Sequence, residues 1–220
     1  QQTKIWNNGP EFWTRVINRY PTSFMAYNQR ALSYKDKGDL ENALRDYTQA
    51  IALFPRYDYA LTNRGIVYKE LRRYEEAWND HSLAIAINPD FSEAYLNRGN
   101  VSFSAGDFVG AIADYDKAII NVNGSARRNS TAYRAEVYSR RGAGFFFAKD
   151  YDNALKDFDR ALEIDPNNIV ALDNRAIIFS VRGENGRALQ DFNRSLQIAP
   201  DNPATQRNLQ RLYYQIREVQ

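Results

Sequence analysis

The sequence predicts an all-α chain of stacked helical hairpins, on three observations. Pro21, Pro55, Pro89, Asn123, Pro166 and Pro200 recur from i to i+34, apart from one gap of 43 between Asn123 and Pro166. A fixed period of that size marks a repeat architecture. Within each unit an arginine precedes a small residue, at Arg30-Ala31, Arg64-Gly65, Arg98-Gly99, Arg141-Gly142 and Arg175-Ala176. Later an alanine stands four places before a ring, as in Ala43/Tyr47, Ala111/Tyr115, Ala154/Phe158, Ala188/Phe192 and, with an imidazole, Ala77/His81. Apolar residues at helical spacing, such as Ala111, Ile112, Tyr115, Ala118 and Ile119, supply the third observation.

Taken in order, residues 1–22 read as the second half of a preceding unit, because counting back from Pro21 puts Trp13 at the ring position and Trp6 at an earlier aromatic place. Full units follow at 24–57, 58–91 and 92–125, then at 135–168 and 169–202. Each reads as two helices of roughly 12–15 residues. Gly38-Asp39 and Gly106-Asp107 offer a left-handed stop for one helix and a side-chain cap for the next. The longer gap places an insertion at 126–134, read as a solvated loop, with Arg127, Arg128, Arg134 and Arg140 as an alternative basic patch. Residues 203–220 form a capping helix with Leu209, Leu212, Tyr213 and Ile216 turned inward. The whole, 1–220, is expected to be one domain.

Composition narrows the chemistry. The chain has 220 residues, 44% of them apolar, with 29 Lys+Arg against 27 Asp+Glu. This near-balance lacks the basic excess that phosphate-backbone binding needs, so no nucleic acid partner is expected. The absence of cysteine removes disulfides, thiolate metal sites and cysteine nucleophiles. A single histidine, His81, leaves no imidazole-based zinc site, and its place in the repeat makes it a packing substitute for a ring. Gly142-Ala143-Gly144 lies in mid-helix without the strand and lysine of a phosphate loop. No carboxylate pair stands out for acid-base work, so the chain is read as no enzyme, with no cofactor and no metal.

The arginines carry a further regularity. Arg30, Arg64, Arg98, Arg141 and Arg175 are each followed at i+16 by an aspartate, at Asp46, Asp80, Asp114, Asp157 and Asp191. Across a tight turn that spacing puts each pair on facing helices. They read as register-fixing pairs, the alternative being a ladder of ligand-binding charges.

The small residues Ala31, Gly65, Gly99, Gly142 and Ala176, the aromatics three places on at Tyr34, Tyr68, Phe145 and Phe179, the alanine-to-ring step and the closing proline resemble the tetratricopeptide repeat. The resemblance covers the five full units. Departures are Ser102 for an aromatic, Asn123 for proline, Ser195 for the late alanine, and arginine where the family usually has an apolar residue. It implies a right-handed α-α superhelix whose first helices line a concave groove that binds extended peptides or partner helices. Helical spacing then assigns to that groove Asn28, Gln29 and Lys35, then Asn63, Ile66 and Lys69, then Asn97, Asn100 and Phe103, then Arg140, Phe146 and Phe147, then Asn174 and Ile177. Asparagine amides would bond a ligand backbone, and the phenylalanines would form an anchor pocket. The family's carboxylate clamp is not expected, since its slots hold Thr62, Ile66, Asn97, Glu136 and Arg140.

A second resemblance concerns the lead-in. Lys4-Ile5-Trp6, Phe12-Trp13, Val16-Ile17 and Tyr20-Pro21 are similar to the segment that joins the last membrane helix to the repeat domain in multi-spanning, glycosyltransferase-like membrane proteins. It implies a membrane-embedded parent chain and an extracytoplasmic domain, periplasmic or lumenal, with a cytoplasmic domain as the alternative. The start at Gln1, without a leader, reads as a processed chain or a piece of a longer one. Glycosylation triplets occur at Asn100, Asn123, Asn129 and Asn193. The leading functional reading is a protein- or peptide-binding scaffold. The alternatives are an assembly module that self-associates through the half repeat, or a part of membrane glycosylation machinery.

Overall fold

The computed structural model describes residues 9–124 and 131–218. Among these there are twelve helices and no strand. They group into two compact units. The first, up to Ala105, holds α1 (Pro10–Arg19), α2 (Phe24–Asp36), α3 (Leu40–Leu53), α4 (Asp58–Glu70), α5 (Tyr74–Ile87) and α6 (Ser92–Ser104). The second, from Gly106, holds α7 (Phe108–Gly124), α8 (Thr131–Phe147), α9 (Tyr151–Ile164), α10 (Ile169–Val181), α11 (Asn185–Ile198) and α12 (Pro203–Glu218).

Each hairpin closes on the same local chemistry. Gly38, Arg72, Gly106, Lys149 and Gly183 all take positive φ, from 59° to 85°. One left-handed residue therefore stops every first helix that continues into a second. The side chains of Asp39 and Asp150 then accept from the backbone N–H of Asn42 and Asn153, capping α3 and α9. Arg72 and Lys149 bear a Cβ in a conformation that costs L-residues about 1–2 kcal/mol. Arg72→Gly is accordingly expected to raise stability by about 1 kcal/mol, read as a higher urea midpoint at unchanged slope.

Small residues let the paired helices approach. A Cβ on Gly65 would stand 2.7 Å from the His81 ring, and one on Gly142 would stand 2.8 Å from Phe158. The ring positions Tyr47, His81, Tyr115, Phe158 and Phe192 are all completely buried. Around them the core is local: Ala31, Ala43, Tyr47 and Val67 in one cluster, Leu61, Ala84, Phe91 and Ala94 in the next. In the second unit Ala154, Phe158, Ala171 and Ile178 form one cluster, and Ala176, Phe179, Ala188, Phe192 and Leu212 another.

Three expectations change in detail. Residues 131–134, placed in the insertion, are the first turn of α8, and α7 and α8 have 17 residues each against 13 or 14 in α2 to α6. The extra chain thus lengthens helices. Of the alternative basic patch, Arg140 is met by Glu136 at 3.4 Å, which offsets its charge. In α12 the inward stripe is Thr205, Leu209, Leu212 and Ile216, and Tyr213 faces out, since it stands a quarter turn past Leu212. Trp6, Arg127, Arg128 and the triplet at Asn129 lie outside the described residues.

Candidate functional site

Within the first unit α2, α4 and α6 lie in sequence against one another. Asn63 Nδ2 donates to Asn28 Oδ1 at 3.3 Å, so these amides link two first helices, and Asn28 itself is buried. Lys35, Lys69, Gln29, Ile66, Asn97, Asn100 and Phe103 are partly buried. Thr62 is buried.

Within the second unit α10 lies against both α8 and α12. Phe147 is 50% exposed and stacks on Phe108, centroids 5.4 Å apart. Phe146 meets Phe147 edge-on at 5.3 Å and Tyr151 at 5.8 Å. Arg140 is exposed. Asn174 Nδ2 donates to the Val170 carbonyl one turn back at 2.8 Å, which leaves its oxygen and its second N–H to offer. Val170 and Val181 on α10 are also exposed, apolar surface that the sequence reading left out. The structure brings together Asn28 with Asn63 and Phe146 with Phe147. The residues of α6 belong to one unit and those of α8 and α10 to the other.

The arginines sit deeper than this face. Nε and Nη2 of Arg30, Arg64, Arg141 and Arg175 donate to both carboxylate oxygens of Asp46, Asp80, Asp157 and Asp191, at 2.6–2.8 Å. The four aspartates are buried. Arg98 and Asp114 belong to different units. A second partner was not anticipated. Nη1 reaches back to the second helix of the preceding hairpin, to Thr14 from Arg30, Thr48 from Arg64 and Ser82 from Arg98, at 3.0–3.1 Å. In the second unit the acceptor is a carboxylate, Asp116 for Arg141 at 2.6 Å and Asp159 for Arg175 at 2.7 Å. Thr14, Thr48, Ser82 and Asp159 stand at i−16 from their arginines, a spacing that was there to be read.

A second polar cluster joins α10, α11 and α12. Thr205 Oγ1 donates to Asp173 Oδ2 at 2.6 Å and lies 3.4 Å from Ser195 Oγ. Burial pushes the Asp173 carboxyl above the ordinary range, against its hydroxyl partners. Ser195, in the late-alanine position, therefore helps fix the helix that follows. The triplets at Asn100 and Asn193 lie inside helices with their hydroxyls, Ser102 and Ser195, buried. Among the described residues no group of three His, Asp or Glu side chains could hold a metal, and no helix is long and apolar enough to cross a membrane.

Models of the tetratricopeptide repeat match residues 31–72, 80–126 and 135–168, together more than half of the chain. No curated protein matches. Among solved structures, the chain is similar to one from the APC/C hetero-tetramer Cut9-Hcn1, with TM-score 0.82 and 20% identity, over 92% of this chain and 38% of that one. YrrB, described as a tetratricopeptide protein with an unusual peptide-binding site, gives 0.66 at 20% identity, over 92% and 100%. PilF of Pseudomonas aeruginosa gives 0.73 at 20% identity, over 89% and 85%. At such identities the likeness speaks for the fold. The hairpins, their small-residue contacts, their buried rings and the matched segments together make the chain a member of the tetratricopeptide repeat family.

Proposed function

We propose that this protein is a non-catalytic protein-interaction scaffold whose first-helix faces bind an extended peptide or a partner helix. The carrying observation is the half-exposed ring of Phe147, stacked on Phe108 and flanked by Phe146 on the α8 side of the second unit. An exposed aromatic ring backed by two others is the kind of anchor that dominates interface energetics. Within the same unit the side-chain amide of Asn174 on α10 would complement it by bonding ligand backbone. A non-catalytic role agrees with His81, completely buried and without a hydrogen-bond partner at either nitrogen among the described residues.

Peptides selected from a displayed random library on the intact chain test the reading. Phe147→Ser is expected to weaken their capture at least about tenfold, with an unchanged helical circular-dichroism spectrum. Equal capture by the variant would remove the face from consideration. A second reading, self-association through the half repeat, is favoured by Phe12, 44% exposed and edge-on to Trp13 in α1. A concentration-dependent sedimentation coefficient abolished by Phe12→Ser would support it.

A further inference from the structure

The outward face of α12 has a composition unlike that of a solvated cap. Gln206, Arg207, Gln210, Arg211, Tyr213, Tyr214 and Arg217 are all exposed, and helical spacing gathers them on the side opposite Leu212. Tyr213 and Tyr214 are 48% and 58% exposed. With Gln210 and Arg217 they line a hollow of about 330 Å³. Four other surface arginines, Arg73, Arg160, Arg182 and Arg187, are each held by a carboxylate. Among the described residues no ion pair involves Arg207, Arg211 or Arg217, and the first turn of α12 carries no acid. Exposed tyrosine and arginine together are the make-up of an interface.

The repeat says what shape would cover it. Tyr213 stands one repeat period after Phe179, at the position where Tyr34, Phe145 and Phe179 pack into the hydrophobic clusters of their own hairpins. In those hairpins a second helix provides the cover. The place of the small residue, however, is taken in α12 by Gln210, one period after Ala176. At Gly65 and Gly142 even one added carbon would collide with the opposing ring. A helix docked on α12 must therefore set a small side chain, not a ring, against Gln210.

We propose that this face docks an acidic helix of a partner protein, its carboxylates on Arg207, Arg211 and Arg217 and its apolar residues on Tyr213 and Tyr214. The surface is separate from the α8 cluster, so it stands or falls apart from the peptide-binding reading. The probe is a synthetic amphipathic helix of Glu, Leu and Ala, titrated into the ¹⁵N-labelled intact chain, beside a twin carrying Gln for every Glu. Expected are shifts confined to amides of α12 and its contacts on α10 and α11, at least about tenfold weaker with the Gln twin and at ~0.5 M salt. Arg207→Glu with Arg211→Glu and Arg217→Glu should abolish them, and Tyr214→Ser should weaken them, without change in the helical spectrum. Absence of shifts, shifts mapping elsewhere, or equal binding of the Gln twin would overturn the proposal. So would binding to phosphatidylserine vesicles through the same arginines without binding of the acidic helix, which would make the face a membrane surface.

Discussion

Arg141→Met is expected to destabilise the protein by about 3–5 kcal/mol, because it leaves the buried carboxylate of Asp157 without its bidentate partner. A methionine keeps most of the stem's packing, so the loss reports the charge rather than a cavity. Asp116→Asn removes the other, half-exposed partner of the same guanidinium and should change stability by about 1 kcal/mol or less. Arg141→Lys should fall between these, since an ammonium cannot reproduce the fork that meets both oxygens. Urea unfolding of the three variants gives the ranking. If Arg141→Met cost no more than Asp116→Asn, the inner pair would not be the structural element proposed. Asp157→Leu combined with Arg141→Met should recover part of the loss, as replacing both members of a buried pair by apolar groups commonly does.

Stability is also expected to fall as the solution is acidified from about pH 6.5, through His81. Burial, with smaller contributions from Arg98 and Lys69, holds its imidazole down to about 3, against an ordinary 6.5. Above pH 6.5 both folded and unfolded chains carry it neutral, and it adds no pH dependence. Below that value the unfolded chain takes up the proton and the folded one refuses it. The folded state loses about 1.4 kcal/mol per pH unit, or about 2 kcal/mol by pH 5, until protonation in the fold near pH 3 ends the trend. His81→Phe should remove this component. It should also stabilise at pH 7 by about 1 kcal/mol, because two buried ring nitrogens lack partners. Gly65 faces position 81 much as Gly142 faces Phe158, so the site is built to admit a phenyl ring. A slope between pH 6.5 and 5 identical in wild type and variant would assign the acid sensitivity to other groups.

The hairpins were legible because their determinants are local and repeated. A small residue, a ring and a left-handed turn residue recur at fixed offsets, and each needs only its own hairpin to explain it. Arg72 and Lys149 show the limit, since neither advertises positive φ as glycine does, and only the period reveals their place. Tyr213 was misassigned because an apolar residue at helical spacing was taken as inward, whereas the stripe that α12 buries begins at Thr205. The candidate face was less legible than the fold. Whether Asn63 offers its amide to a ligand or to Asn28, and whether Asn174 spends one of its donors on its own helix, depends on angles that spacing does not encode.

The backward reach of the arginines alters what counts as one module of this chain. A segment of one repeat length, cut from proline to proline, takes an arginine with its aspartate but leaves the hydroxyl or carboxylate that Nη1 requires in the segment before. The interchangeable block is instead offset, running from the second helix of one hairpin through the whole of the next. Grafts and duplications joined at that boundary should keep each guanidinium fully satisfied, whereas those joined at the prolines will match only where Thr, Ser or Asp already waits at the junction.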